Sequence, residues 1–242
     1  MTNAAGALGR FVALVGFIAA ALILGAGPAY RYAGLDLGMA FNLLKWGSYT
    51  AIGAGAIAVI WLISALVSRS AQGLVLVILG LLLAGTIYIP LKMKSMAEAV
   101  PAIHDITTDT GNPPAFVALL EARKASKNGA DYDPATAADQ QKAYPEIQSF
   151  ASDKPPAELF DKAKKVATDM GWEIAAAEPN EGRLEATDTT MWFGFMDDVV
   201  IRIAADGTGS KLDIRSMSRV GKSDLGKNAL RIRDFLARMK AA

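Results

Sequence analysis

Apolar residues are concentrated before about residue 92 of the chain. Three stretches there, approximately 11–27, 46–67 and 73–91, contain no charged residue. A helix needs about 20 apolar residues to cross the hydrocarbon core, and a charge placed inside that core costs several kcal/mol. The pattern therefore predicts three transmembrane helices in a membrane domain of residues 1–95. Because five residues separate the last two stretches, it also predicts that these two form a tight helical hairpin with its turn at 68–72.

The pattern changes between residues 96 and 155, where polar residues and prolines become frequent. The run "LKMKSMAEAV" predicts a short helix beside the membrane, ended by Pro101. The runs "GNPPAF", "DYDPAT", "KAYPEI" and "DKPPAEL" follow, and such Pro and Gly dipeptides are typical of turns and extended segments. Interspersed aromatic residues favour an ordered wrap over the domain that follows.

Residues 156–242 have the rhythm of a small mixed domain. Apolar residues recur at helical spacing from about 156 to 170, two hairpins of alternating residues follow, and a second helical pattern covers 224–240. We therefore expect an α+β domain with the order αββββα. Its four-stranded antiparallel sheet would carry its two flanking helices on one face.

The second of these hairpins permits a prediction about side-chain partners. A two-residue turn at Asp206-Gly207 would pair Ala205 with Thr208 and fix the register of both strands. In that register Asp198 lies across from Arg215, which predicts a structural ion pair. The expected core positions on the opposite face are Val199, Ile201, Leu212 and Ile214.

The runs "FGFMDDV" and "RSMSRVGKSDLGKNALRI" closely resemble the signature of a bacterial and plastid family, domain of unknown function 1499. "IHDITTD" and "YPEI" resemble its alphaproteobacterial branch, in a membrane-anchored form. The family has no established reaction. Some relatives carry export or lipoprotein signals, so the resemblance implies a domain outside the cytoplasm.

The motif contains hydroxyls and guanidinium groups before a predicted helix, an arrangement typical of anion binding. The candidate ligand-binding residues are Arg215, Ser216, Ser218, Arg219 and Arg231. The alternative interpretation is that these groups satisfy one another and their acidic neighbours, with no ligand. We assign no catalytic residue, because no histidine lies near the serines in the sequence.

A secondary polar cluster is formed by His104, Asp105 and Asp109. His104 is the sole histidine and cysteine is absent, so the sequence predicts no metal site and no cofactor. Two interpretations stay open for this segment. Either it is a structural strap that buries Ile103 and Ile106, or His104 and Asp105 act as a base and its orienting group.

Charge and composition limit the location and the partners. The net charge of +1, without a basic stripe of stacking aromatics, argues against nucleic-acid binding. Lys and Arg near the predicted span ends weakly favour a cytoplasmic domain. The family resemblance favours the periplasm, and we predict a multi-pass protein of the bacterial inner membrane with a periplasmic domain. The first span has an alternative interpretation as a cleaved signal peptide.

The sequence favours a membrane-anchored binding or assembly module over an enzyme. Its expected partners are the lipid bilayer, other membrane proteins and anionic lipids. A transporter or channel is disfavoured because the predicted spans carry no ionisable Asp, Glu, Lys or Arg. The alternative function is a membrane-tethered enzyme that acts on an anionic or lipid-derived substrate through the RSxSRxG motif.

Overall fold

A computed structural model of the protein describes residues 2–67 and 73–241. The chain divides into two compact units. We call Met1–Ser95 with Trp192–Gly194 the helical unit, and Met96–Met191 with Phe195–Ala242 the sheet unit. The predicted turn at 68–72 lies outside the described residues.

Three long helices build the helical unit: α1 (Thr2–Ala33), α2 (Leu37–Val67) and α3 (Gly73–Ala99). The carboxylate of Asp36 caps the start of α2, because its Oδ1 accepts from the backbone N–H of Gly38 at 2.7 Å. Small side chains are buried where α1 packs on α2, including Ala19, Ala26, Ala51 and Ala54. Small residues let two helices approach closely without a bulky side chain between them.

Two segments of these helices are long and apolar enough to cross a membrane, judged by length and composition: Arg10–Ala33 and Leu37–Ile63. A membrane crossing by α3 stays a prediction. α2 begins at Leu37, well before the start of the predicted span at Trp46, so Lys45 lies within the helix. α3 continues through Pro90 to Ala99, so the predicted separate helix after Leu91 is the end of α3.

The sheet unit contains four further α-helices among the described residues and six strands. The helices are α4 (Leu120–Lys124), α5 (Ala137–Ala143), α6 (Pro156–Asp169) and α7 (Lys227–Ala241). The strands are β1 (Asp105–Thr107), β2 (Phe150–Ser152), β3 (Glu173–Glu178), β4 (Arg183–Thr189), β5 (Met196–Asp206) and β6 (Gly209–Ser218). From α6 to α7 the order of helices and strands is the predicted αββββα.

The predicted four-stranded sheet is wrong, because the sheet has six strands. Its order is β1-β6-β5-β4-β3, all antiparallel, and β2 also pairs with β6. Both additional strands come from the Pro-rich region and lie along the edge of β6. Each contains three residues, which is too short for an alternating pattern to be recognised in the sequence.

The two faces of the sheet have different covers. On the helix face, α6 and α7 bury the main apolar core, which includes Leu159, Ile201, Ile214 and Phe235. On the opposite face, which we call the wrap face, residues 108–130 lie against the sheet. A smaller apolar cluster is buried there, made of Phe116, Leu119, Val200 and Met217.

The hairpin of β5 and β6 has a different register from the predicted one. Asp206 pairs with Gly209, so the turn residues are Gly207 and Thr208, and Gly207 adopts φ +58°. Every partner therefore moves by two positions, which keeps each side chain on its face. Burial of the four predicted core positions is confirmed: Val199, Ile201, Leu212 and Ile214.

Candidate functional site

The RSxSRxG motif begins in the last residues of β6 and continues toward α7. Successive residues of a strand point to opposite faces of the sheet. Ser216 and Ser218 bond to side chains of α7 on the helix face, whereas Arg215 bonds to the wrap-face carboxylate of Asp105. The structure therefore does not bring the five candidate residues together into one cradle.

On the wrap face, Arg215 forms a two-pronged ion pair with Asp105. Nε lies 2.9 Å from Oδ1 and Nη2 lies 2.7 Å from Oδ2, and both side chains are almost fully buried. The guanidinium also lies over the rings of Phe116 and Tyr132, at 5.1 and 5.6 Å from their centroids. The predicted ion pair between Asp198 and Arg215 is wrong, because the shifted register places Val200 opposite Arg215.

Asp198 instead binds two other arginines. Arg219 approaches both of its carboxylate oxygens at 2.9 Å, and Arg123 Nη1 lies 3.1 Å from Oδ2. The hydroxyl of Thr187 donates to Oδ1 at 2.8 Å. The hydrogen bonds that Arg219 donates to Asp198 raise the pKa of its guanidinium above the ordinary value.

Arg123 has a completely buried side chain in α4. Besides Asp198, it donates to the carbonyl oxygens of Gly129 and Met217, each at 2.8 Å, and to that of Ser218 at 3.3 Å. Burial lowers the pKa of this guanidinium, and its bonds with Asp198 restore only part of the loss. Arg123 thus joins the wrap-face cover to the end of β6.

On the helix face, Arg231 is the centre of a second polar network. Its Nη2 lies 2.6 Å from Asp188 Oδ2 and 2.7 Å from Asp197 Oδ2. Its Nη1 donates to the hydroxyl oxygen of Ser216 at 3.0 Å and to Asn228 Oδ1 at 2.6 Å. Burial lowers the pKa of Arg231, but the two aspartates outweigh burial and the pKa is raised.

Asn228 completes this network. Its Oδ1 accepts from the Ser216 hydroxyl at 2.7 Å, and its Nδ2 donates to Ser218 Oγ at 3.0 Å. The same Nδ2 donates to the backbone carbonyl of His104 at 2.9 Å. Ser216, Ser218 and Arg231 are therefore brought together, and each bonds to a neighbour within the chain.

The three residues of the predicted secondary cluster take part in different contacts. His104 supplies its backbone carbonyl to Asn228 and to the N–H of Ser218, whereas the carboxylate of Asp105 belongs to Arg215. Asp109 Oδ2 lies 3.2 Å from Arg202 and 3.5 Å from Lys211. Burial raises the pKa of Asp109, but the Asn112 amide and these cations outweigh burial and hold the pKa below its ordinary value.

The strap interpretation of this segment predicts burial of Ile103 and Ile106, which is confirmed. Among the residues that the structure describes, no three His, Cys, Asp or Glu side chains are grouped as ligands for a metal ion.

A cleft of about 400 Å³ lies beside the segment that follows β1. Polar side chains line its wall, including those of Thr108, Gln140, Gln141 and Gln148. The amide of Gln140 there is bonded to the backbone N–H and C=O of Thr107.

Sequence reasoning missed three buried charged residues that organise the two faces: Arg123, Glu185 and Asp197. Glu185 accepts from three consecutive backbone N–H groups, those of Val117, Ala118 and Leu119, at 2.9 to 3.0 Å. The sequence contains a signal for Asp197, because two acidic residues stand near the start of the apolar run "MDDVVIRI". An acidic residue that is buried with such a run needs a partner. For Arg123 and Glu185 the sequence contains no comparable signal.

Residues 105–239 match the family described as Protein of unknown function (DUF1499). The chain belongs to this family. The matched part of this DUF1499 protein starts at the first residue of β1 and ends within α7, so it includes all six strands. No curated protein matches the chain. Membership therefore identifies the sheet unit as the family domain and leaves its function to be argued from its residues.

Proposed function

We propose that this DUF1499 protein is a membrane-anchored binding or assembly module of the bacterial inner membrane, with its family domain in the periplasm. The observation that carries the proposal is the state of the motif arginines. Arg215, Arg219 and Arg231 each bond to an aspartate of the same chain, at 2.7, 2.9 and 2.6 Å. Guanidinium groups already paired in this way hold strands of the sheet to one another and to α7, and leave little capacity for a substrate.

The anchor part of the proposal rests on the surface of α1 and α2. In an apolar 18-residue window of each segment, 33% and 22% of the residues are buried, whereas the core helix of a water-soluble protein would be mostly buried. Large apolar side chains point outward instead, among them Phe17, Ile60 and Ile63. A lipid bilayer is the solvent that suits such a surface. Exposed Leu81 and Leu82 extend the same argument to α3 and support a third span.

The position of the spans can be tested by cysteine labelling, because the chain has no cysteine of its own. A chain that crosses three times places Ser70 and Lys222 on opposite sides of the membrane. In cells with a permeabilised outer membrane, we expect an impermeant maleimide to label Lys222→Cys at once and Ser70→Cys only after the inner membrane is broken. The cysteine-free chain is the control. Equal labelling of both positions would contradict the third span, and reversed labelling would move the domain to the cytoplasm.

The enzyme alternative finds less support, because the motif hydroxyls bond to Asn228 and Arg231 rather than to a general base. Two conservative variants separate the alternatives: Ser218→Ala and Arg219→Lys. Each variant loses one hydrogen bond or weakens one ion pair, so we expect each to lower the free energy of unfolding by about 1–3 kcal/mol. The amount of folded protein should fall accordingly. Protein and lipid co-purified from native membranes, counted per folded molecule, should stay unchanged. Loss of a bound ligand from a fully folded variant would favour a site at the motif.

A further inference from the structure

Three residues of the connection between β4 and β5 belong to the helical unit. They are Trp192, Phe193 and Gly194, in the run "TMWFGFM". The indole Nε1 of Trp192 donates to the backbone carbonyl of Leu24 in α1 at 3.1 Å. Pro28, which lies inside α1, has no N–H, so the Leu24 carbonyl lacks the helical donor that a residue four positions later normally supplies. The tryptophan supplies a donor at this gap.

Glycine at position 27 allows this approach. A Cβ added to Gly27 would lie 2.6 Å from Cδ1, 2.7 Å from Nε1 and 2.7 Å from the backbone oxygen of Trp192. Separations this short do not occur between packed atoms, so even alanine would displace the ring. A Cβ added to Gly25, two residues earlier on the same helix, would have no atom within 4 Å. Of these two glycines, only Gly27 is therefore required for the close contact.

Phe193 fills the neighbouring space with its ring. Its side chain is buried, and its centroid lies 6.1 Å from that of Tyr30 in α1 and 5.8 Å from that of Phe41 in α2. Trp192 meets Phe193 edge to face at 4.9 Å. Gly194 follows with φ +68°, a conformation that favours glycine and turns the chain away after the two aromatic residues.

We propose that Trp192, Phe193 and Gly194 form a docking segment, and that Gly27, Pro28 and the rings of Tyr30 and Phe41 form its receptor on the helical hairpin. The partner of this surface is therefore the anchor of the same chain. The indole satisfies a carbonyl that would be costly to leave unpaired near lipid. The hydrogen bond, the close approach at Gly27 and the ring contacts together hold this segment on α1 and α2.

Chymotrypsin cleaves after aromatic residues, so its access to the docking segment measures how often the segment is released. In the full chain, solubilised in detergent, we expect Gly27→Ala to raise the cleavage rate at Trp192 and Phe193 by roughly tenfold or more, as overpacking of a close contact predicts. Gly25→Ala is the matched control and should cleave at the wild-type rate. Fragment masses identify the cleaved bonds, and unchanged cleavage elsewhere in the chain verifies folding.

A second pair of variants tests the hydrogen bond by itself. Trp192→Phe keeps an aromatic ring and a cleavage site but removes the donor, and should raise the rate about fivefold. In a Pro28→Ala background, the new helical N–H can bond to the Leu24 carbonyl, and the additional effect of Trp192→Phe should shrink toward none. Equal cleavage of Gly27→Ala and Gly25→Ala would overturn the docking proposal, as would an undiminished effect of Trp192→Phe beside Pro28→Ala. Neither outcome depends on the side of the membrane that the labelling reports.

Discussion

On the helix face of the sheet, α6 and α7 contribute a continuous apolar core with the Arg231 network beside it, whereas on the wrap face a segment with one five-residue helix contributes mainly buried charges. Burial of apolar surface stabilises without strict direction, so neighbouring side chains can partly compensate for a lost one. The bonds among Arg123, Asp198 and Arg219 need a defined geometry and full pairing. The wrap face should therefore be the more vulnerable to an almost isosteric change.

We expect Asp198→Asn to destabilise the sheet unit strongly. The substitution keeps the size of the side chain but removes the charge that faces Arg123 and Arg219 inside the domain. Breaking a buried ion pair in this way costs about 3–5 kcal/mol. The measurement is urea unfolding of the full chain in detergent, monitored by near-ultraviolet circular dichroism.

Asp206→Asn is the matched control for this variant, because Asp206 is an exposed aspartate at the end of the same strand. We expect it to change the free energy of unfolding by less than about 0.5 kcal/mol. Equal unfolding midpoints for Asp198→Asn and Asp206→Asn would show that the wrap-face charges contribute no more than surface charges do. The contrast between the two faces would then be wrong.

The same contrast explains which parts of the fold could be predicted. Periodicity identified α6, α7 and the four long strands, because each of these buries one face of a regular pattern. It also identified Val199 and Ile214 as core residues, since the error in the hairpin turn moved partners by two positions and kept the faces. Contacts that depend on the exact register were predicted wrongly, and Asp198 was therefore assigned the wrong arginine.

The short strands and the charged contacts of the wrap face could not be predicted from the sequence, for a physical reason. Its strands β1 and β2 have three residues each, and their stability comes from pairing with β6 rather than from local propensity. Arg123 meets Asp198 from a position distant in the sequence, and Glu185 meets the backbone of Val117 in the same way. A motif can indicate that buried charges exist, but long-range pairing decides which charges meet.

Two aspartates, Asp109 on the wrap face and Asp224 before α7, have opposite pKa shifts, so we expect small pH-dependent effects of opposite sign from them. On the wrap face the pKa of Asp109 is lowered, as described above. Before α7, burial raises the pKa of Asp224, although its carboxylate accepts from the N–H groups of Gly226 and Asn228 at 2.8 and 2.7 Å. Folding therefore favours the charged form of Asp109 and the neutral form of Asp224.

The sign of the pH dependence follows for each group. The contribution of Asp109 to stability is present above the ordinary pKa of about 3.8 and is lost as the pH falls through its lowered folded pKa. The contribution of Asp224 is present below the ordinary value and is lost as the pH rises through its raised folded pKa. Asparagine is neutral at every pH, so the two variants Asp109→Asn and Asp224→Asn isolate these contributions.

Urea midpoints of both variants and the wild type, measured from roughly pH 3 to pH 7, test this expectation. Relative to the wild type, Asp109→Asn should lose stability as the pH rises, because the wild type alone gains a carboxylate held by Arg202 and Lys211. Asp224→Asn should gain on the wild type over the same range, because the wild type must ionise a buried carboxyl. If both differences changed with pH in the same direction, burial would not be what distinguishes the carboxyl before α7 from the one on the wrap face.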